Sequence, residues 1–134
     1  MTLLYMLDTN ICIYIAKKRP EAVLKKFEAF KVGQVGMSAI TYGELWYGVQ
    51  KSHHPEKSKK LLEDLASIII PIPLSVEVGQ KYGEIRAILE QSGTPIGNND
   101  LWIAAHALTV RLILVSNNMR EFMRVPELVL ENWA

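Results

Sequence analysis

The chain has 134 residues, 49% of them apolar and 22% charged, with a formal net charge of +1 at neutral pH. That length fits one domain, residues 1–134, with a core of its own, and the composition excludes a low-complexity or disordered chain. A lone cysteine, Cys12, excludes an intrachain disulfide framework and fits a reducing, cytoplasmic compartment.

Residues 3–8 open the chain as a buried strand, because Leu3, Leu4, Tyr5, Met6 and Leu7 are all apolar. Asp8 cuts that run before it can serve as a signal peptide, and no basic leader is expected. No later apolar run approaches the roughly 20 residues that span a bilayer, so a soluble protein with no membrane partner is expected. Thr9 or Asn10 can cap a helix to about residue 18, and Pro20 suits the first turn of a second helix ending near residue 30. Residues 34–38 read as a short strand and residues 39–50 as a helix. Pro55 begins a basic amphipathic helix with Leu61, Leu62, Leu65 and Ala66 on its apolar side. Ile68, Ile69 and Ile70 read as a short buried strand stopped by Pro71 and Pro73. Residues 76–91 form a helix, residues 92–97 a loop, and residues 98–109 a helix opened by Asn98, Asn99 and Asp100. A strand at 112–116, a short helix and an extended stretch at 128–130 complete the chain. Strands alternating with helices predict an α/β fold: a central, mainly parallel sheet sandwiched between helical layers.

Three acids stand out from this frame. Asp8 ends a buried strand, Glu44 lies inside the nearly uncharged stretch 39–46, and Asp100 opens an apolar helix. Carboxylates against apolar surroundings are costly unless they are paired or bind a cation. Several together suit a hard ion such as Mg²⁺ or Mn²⁺, which prefers oxygen ligands. In open α/β sheets, ligands bind beyond the carboxyl ends of the strands, where Asp8 and Ser116 are expected. Ile103, Ala104 and Ala107 share the Asp100 face, and the alanines let that helix approach the sheet. Each acid also has an ordinary reading: Asp8 as a helix cap, Asp100 as a helix-dipole acid, Glu44 as a lysine partner and Glu121 as a surface acid. Convergence in one crevice favours the metal reading over these.

Four ordered strings then carry a resemblance. They are Met6-Leu7-Asp8-Thr9-Asn10, the segment from Ser38 to Leu45 around Glu44, the segment from Pro95 to Ala107 around Asp100, and Val115-Ser116-Asn117-Asn118-Met119-Arg120-Glu121-Phe122. Together they resemble PIN-domain ribonucleases, and more closely the VapC toxins of bacterial type II toxin–antitoxin modules, over essentially the whole length. The resemblance implies that Asp8, Glu44 and Asp100 are the principal metal-binding acids and that Glu121 is the fourth catalytic acid, often Asp in the family. Thr9, Asn10 and Ser116 match polar positions beside the metals. It further implies Mg²⁺- or Mn²⁺-dependent cleavage of RNA, with initiator tRNA cut in its anticodon loop and translation blocked. The implied partners are a VapB-type antitoxin that covers the active site with its C-terminal tail, a second copy in a homodimer, and operator DNA reached only through the antitoxin.

Other reactive-looking residues are expected to be structural. His106 shares a face with Trp102, turned away from Asp100, and is expected to pack. Cys12 is expected in the core, and His53 and His54 in an exposed turn. Tyr42, Trp46 and Tyr47 are expected in the core or on a dimer surface rather than as a platform for bases. A phosphoacceptor signalling domain is set aside, because Thr9 follows Asp8 and no Asp ends the stretch from Ile70 to Pro73. The remaining alternative is a non-catalytic PIN-like module that binds RNA or a protein; such a module would be expected to lose the acids that this chain keeps.

Charge is unevenly placed: residues 17–60 hold ten Lys or Arg against four Glu, a local excess of +6 that leaves −5 elsewhere. Either a solvated helix surface or a phosphate track accounts for it. Reversing Lys25 and Lys26 to Glu separates the two. If RNA cleavage and its salt dependence are unchanged in that variant, the region is not a phosphate track.

Overall fold

Five short strands, each too short to hold a sheet alone, stack in register at the centre of the chain. In the computed structural model, which describes residues 2–134, they are β1 (Tyr5–Leu7), β2 (Val35–Ser38), β3 (Ile70–Ile72), β4 (Ile113–Val115) and β5 (Leu130–Glu131). Every pairing is parallel and the order is β3-β2-β1-β4-β5. The chain therefore steps outward from β1 in one direction through β2 and β3, then crosses back to β4 and β5. The reversal falls between β1 and β4, where Leu7 stands opposite Val115.

Seven helices make the connections: α1 (Thr9–Lys17), α2 (Glu21–Glu28), α3 (Ala39–Gln50), α4 (Pro55–Ile68), α5 (Val76–Gln91), α6 (Asn98–Val110) and α7 (Met119–Phe122). Neighbouring strand residues point to opposite faces, so the sheet feeds two cores. Met6 and Leu114 pack with Val78, Ile85 and Leu89 of α5, with Ile103, Ala104 and Ala107 of α6, and with Phe122. Leu7, Val35, Met37 and Val115 pack on the other face with Ile11, Cys12 and Ile15 of α1, Val23 of α2 and Leu65 of α4. The expected three-layer α/β/α architecture is thus present. Ala104 and Ala107 are fully buried, as close helix–sheet packing requires.

Three expectations need correction. The first helix is capped by Asp8, not by Thr9 or Asn10: Asp8 has extended backbone angles and its Oδ1 accepts from the Ile11 N–H at 2.9 Å. The isoleucine strand begins later than its apolar run suggests, because Ile68 ends α4 and the buried Ile69 closes it. The paired residues are Ile70, Pro71 and Ile72, and Ile70 is 41% exposed. Pro71 fits because β3 is an edge strand, where a missing N–H need not break a ladder. The last strand pairs through Leu130 and Glu131, two residues beyond the expected start at 128.

Gly36 marks the tightest point of the sheet. A Cβ there would stand 2.9 Å from the Ile70 carbonyl oxygen and 2.9 Å from Ile72 Cδ1. The backbone oxygen belongs to a paired strand and cannot yield cheaply. Gly36→Ala should therefore destabilise the fold by about 1–3 kcal/mol, read as a lower urea midpoint with an unchanged slope. A midpoint equal to wild type would show that β3 is free to move away.

Candidate functional site

The crevice opens where the strand order reverses, as expected of an open parallel sheet. Asp8 leaves β1 and Ser116 leaves β4, and the pairing runs one step past the strands through the Asp8 N–H and the Val115 carbonyl at 3.0 Å. Their side chains then meet: Ser116 Oγ donates to Asp8 Oδ2 at 2.5 Å. Both residues are buried, Asp8 to 4% exposure. The two carboxylate oxygens of Asp8 thus have separate tasks, one capping α1 and one facing Ser116.

Glu44 arrives from α3, a helix capped by Ser38 rather than by any acid. It lies in the second turn, half-buried, and its Oε1 accepts from the Thr9 hydroxyl at 2.6 Å. Thr9 Oγ1 also sits 3.1 Å from Thr41 Oγ1, and Thr41 is fully buried. Because Asp8 caps α1, the Thr9 side chain is left free to hold Glu44. Asp100 and Glu121 come from the first turns of α6 and α7. They are joined by Asn118, a residue to which the sequence alone assigns no role. Asn118 Nδ2 donates to Asp100 Oδ2 at 3.1 Å and to Glu121 Oε2 at 2.8 Å, while the Asn118 N–H donates to Ser116 Oγ at 2.9 Å. Only the nitrogen half of an amide can face two ionised carboxylates, so this orientation follows from the partners. Position 118 carried a signal: an Asn just beyond a strand end and three residues before an acid.

Asn10 joins this set only through its backbone, which approaches Asp8; its side chain is exposed. His106 is outside it, fully buried with Nδ1 2.7 Å from Ser38 Oγ. Its Nε2 has no hydrogen-bond partner among the described residues, and burial holds the imidazole below its usual range, with the Pro73 backbone acting against that. The expected packing role of His106 is what the fold gives it. Cys12 is buried in the core, and His53 and His54 are exposed, also as expected. Tyr42 and Trp46 are half-buried, but Tyr47 is 65% exposed on this chain.

The electrostatics of the crevice are one-sided. None of the four acids forms a salt bridge among the described residues. Burial raises the Asp8 carboxyl above the usual range, Glu44 adds to the rise, and the Ser116 and Ile11 bonds oppose it. Asp100 is pushed up to about 6, first by burial and then by Glu121 and Asp8, with Asn118 acting against them. Among the described residues no three His, Cys, Asp or Glu side chains close on one point at metal-binding distance. Hydroxyl and amide donors occupy the facing oxygens instead. The donor set still fits a hard divalent cation: carboxylate oxygens only, repelling one another, with no lysine or arginine in salt-bridge contact among the described residues.

Comparison with known proteins gives concordant results. A family model described as the PIN domain matches residues 5–128. A relative named Ribonuclease VapC2, from Haemophilus influenzae, is 46% identical over 97% of this chain and 98% of its own. A protein named tRNA(fMet)-specific endonuclease VapC, from Salmonella typhimurium, is 38% identical over 97% of this chain and 98% of its own. The solved structure of VapBC2 from Rickettsia felis, bound to a DNA fragment from its promoter, contains a chain 42% identical to this one. That chain superposes with a TM-score of 0.91 over 98% of this chain and 100% of its own.

Asp100 supplies a stability test. Its carboxyl titrates near 6 when folded and near its ordinary 3.8 when unfolded. The folded state therefore holds the extra proton in that window, and stability falls as pH rises from about 3.8 to about 6. Asp100→Asn removes the burden and should stabilise the metal-free protein at pH 7.5. The full shift corresponds to about 3 kcal/mol; screening at this half-exposed site reduces it to about 1 kcal/mol. At pH 3.5 variant and wild type should match. Urea unfolding in EDTA at both pH values checks this, and a pH-independent difference would sink it.

Proposed function

The chain belongs to the PIN-domain family and, within it, to the VapC ribonuclease toxins of toxin–antitoxin modules, and from that premise we propose that it is a divalent-metal-dependent endoribonuclease that cuts initiator tRNA in the anticodon loop. The observation that carries the reading is the convergence of Asp8, Glu44, Asp100 and Glu121 on one crevice, tied together by Ser116, Thr9 and Asn118 and in no salt bridge among the described residues.

Asp8, Asp100 and Glu44 would hold Mg²⁺ or Mn²⁺, with Glu121 beside them. Such an ion, when bound, lowers the pKa of water and stabilises charge on phosphoryl oxygens. The protein's own part is orientation. Ser116 and the Ile11 amide fix both oxygens of Asp8, Thr9 fixes Glu44, and Asn118 keeps two repelling carboxylates at a set spacing. These partners restrict each acid before substrate arrives, as neighbours of metal-binding groups do. In-line attack of water on the scissile phosphorus breaks the bond to the 3′ oxygen. It leaves a 5′-phosphate and a 3′-hydroxyl and needs no 2′-hydroxyl nucleophile. An anticodon loop suits such a site because its unstacked nucleotides can be splayed open. The name of the Salmonella relative supports that substrate.

The partner reading is a VapB-type antitoxin, with DNA contacted through it; that the Rickettsia VapBC2 complex is bound to a promoter DNA fragment supports this reading. An apolar groove of about 420 Å³ beside Thr9 and Glu44, lined by Ile13, Leu45, Leu61, Leu62 and Leu65, supports docking of an antitoxin segment over the crevice. A homodimer within the complex and a cytoplasmic location complete the reading. Among the described residues no helix is long and apolar enough to cross a membrane.

Purified protein free of antitoxin, given total tRNA with Mg²⁺ or Mn²⁺, should cut one tRNA within its anticodon loop. EDTA should abolish the cut, and Asp8→Asn should slow it by at least about a hundredfold while the circular dichroism spectrum stays native. Sequencing the new ends identifies the bond. Cleavage by Asp8→Asn at the wild-type rate would overturn the site. No cleavage of any RNA by folded wild-type protein would favour the non-catalytic binding module.

A further inference from the structure

Helix α3, with Lys51 that closes it, presents one unusual stripe. Ile40, Gly43, Glu44, Tyr47 and Lys51 recur at three- and four-residue spacing and so share a face. Tyr47, Gly43 and Glu44 line an open groove of about 630 Å³ whose other walls include Thr9 and Asn99, at the starts of α1 and α6. An exposed tyrosine by itself is ordinary on a protein surface. Here three further features coincide with it. Tyr47 stands three residues, about 4.5 Å of axial rise, along the helix from Glu44. Gly43 is exposed, and a Cβ there would meet nothing within 4 Å. No packing inside this chain therefore calls for glycine, although glycine is a poorer helix former than alanine. Finally, Lys51 Nζ lies 4.8 Å from the centre of the Tyr47 ring and pairs with no carboxylate among the described residues.

We propose that this groove is a nucleobase subsite for single-stranded RNA, in which an unpaired base stacks on the Tyr47 ring over the bare backbone at Gly43 and Lys51 takes the flanking phosphate. The proposal rests on the ribonuclease reading above and adds a binding element to it. Stacking on an aromatic ring tolerates any base but requires one released from pairing. The groove thus selects loops over duplexes without reading sequence, and it leads the strand toward Glu44 and Asp8. A single cation on this stripe limits the electrostatic share of binding, leaving the ring as the main attachment.

The test uses antitoxin-free protein in an Asp8→Asn background, with two labelled probes: the anticodon stem-loop of tRNA(fMet) and a short oligouridylate. Tyr47→Ala should weaken binding of both by about tenfold, within the range of one lost base stack. Tyr47→Phe should stay within about twofold of the parent. Lys51→Ala should reduce the slope of log affinity against log salt by about 1. Gly43→Ala should raise the melting temperature yet weaken binding, a combination that a purely structural glycine would not produce. In the active enzyme Tyr47→Ala should raise KM more than it lowers kcat. Equal losses for Tyr47→Phe and Tyr47→Ala would overturn stacking. A smaller sedimenting species for Tyr47→Ala alone would give the ring to a contact between copies and overturn the subsite. Tyr47-dependent binding of oligouridylate without binding of the stem-loop keeps the subsite and overturns the tRNA reading. Wild-type cleavage of the stem-loop that Tyr47→Ala leaves unchanged does the reverse.

Discussion

The hydrogen bond from Ser116 to Asp8 is the contact on which the crevice depends. It joins residues 108 apart in sequence, at 2.5 Å and out of contact with water. It forms because β1 and β4, distant in the chain, are neighbours in the sheet, and each ends one residue before its polar side chain. Parallel strands place these ends on the same edge. A sheet that paired β1 only with its sequence neighbour would leave Asp8 a simple helix cap. The reversal of strand order makes it the floor of a site.

From that floor outward, each acid is held by a neutral donor rather than by a base. Thr9 holds Glu44, and Asn118 holds Asp100 and Glu121. Neutral donors fix direction without cancelling charge. A lysine in the same place would stabilise the free protein and compete with any cation. The consequence is a crevice whose acids stay uncompensated: burial first, and then the neighbouring acids, raise the carboxyls of Asp8 and Asp100. Such a cost is common where function and stability draw on the same residues. The cores on the two faces of the sheet, anchored by Met6 and Leu114 on one side and Leu7 and Val115 on the other, supply the stability that offsets it.

Much of this was legible in the residues. The helices at 39–50 and 76–91 follow from periodicity and flanking breakers, and they appear with those bounds. The four acids were identifiable because each breaks an apolar context or sits in a recognisable string. The two misplaced strand boundaries share one cause. At the isoleucine run and at the end of the chain, the apolar pattern continued past the element that used it. Which residues paired was settled by the strand already in place beside them. Asn118 was missed because an amide after a strand reads as an ordinary turn residue until the two carboxylates it bridges are known.

The sequence by itself determined the alternation of strands and helices, the apolar faces and the identity of the acids, since these depend on side-chain chemistry and local spacing. Tertiary structure alone decided that the acids line one crevice, that Asp8 divides its two oxygens between α1 and Ser116, that His106 is spent on Ser38, and that Tyr47 is left open beside Glu44. Each of these is a contact between segments far apart in the chain. Such contacts arise from strand order and helix packing, which local pattern constrains but does not fix.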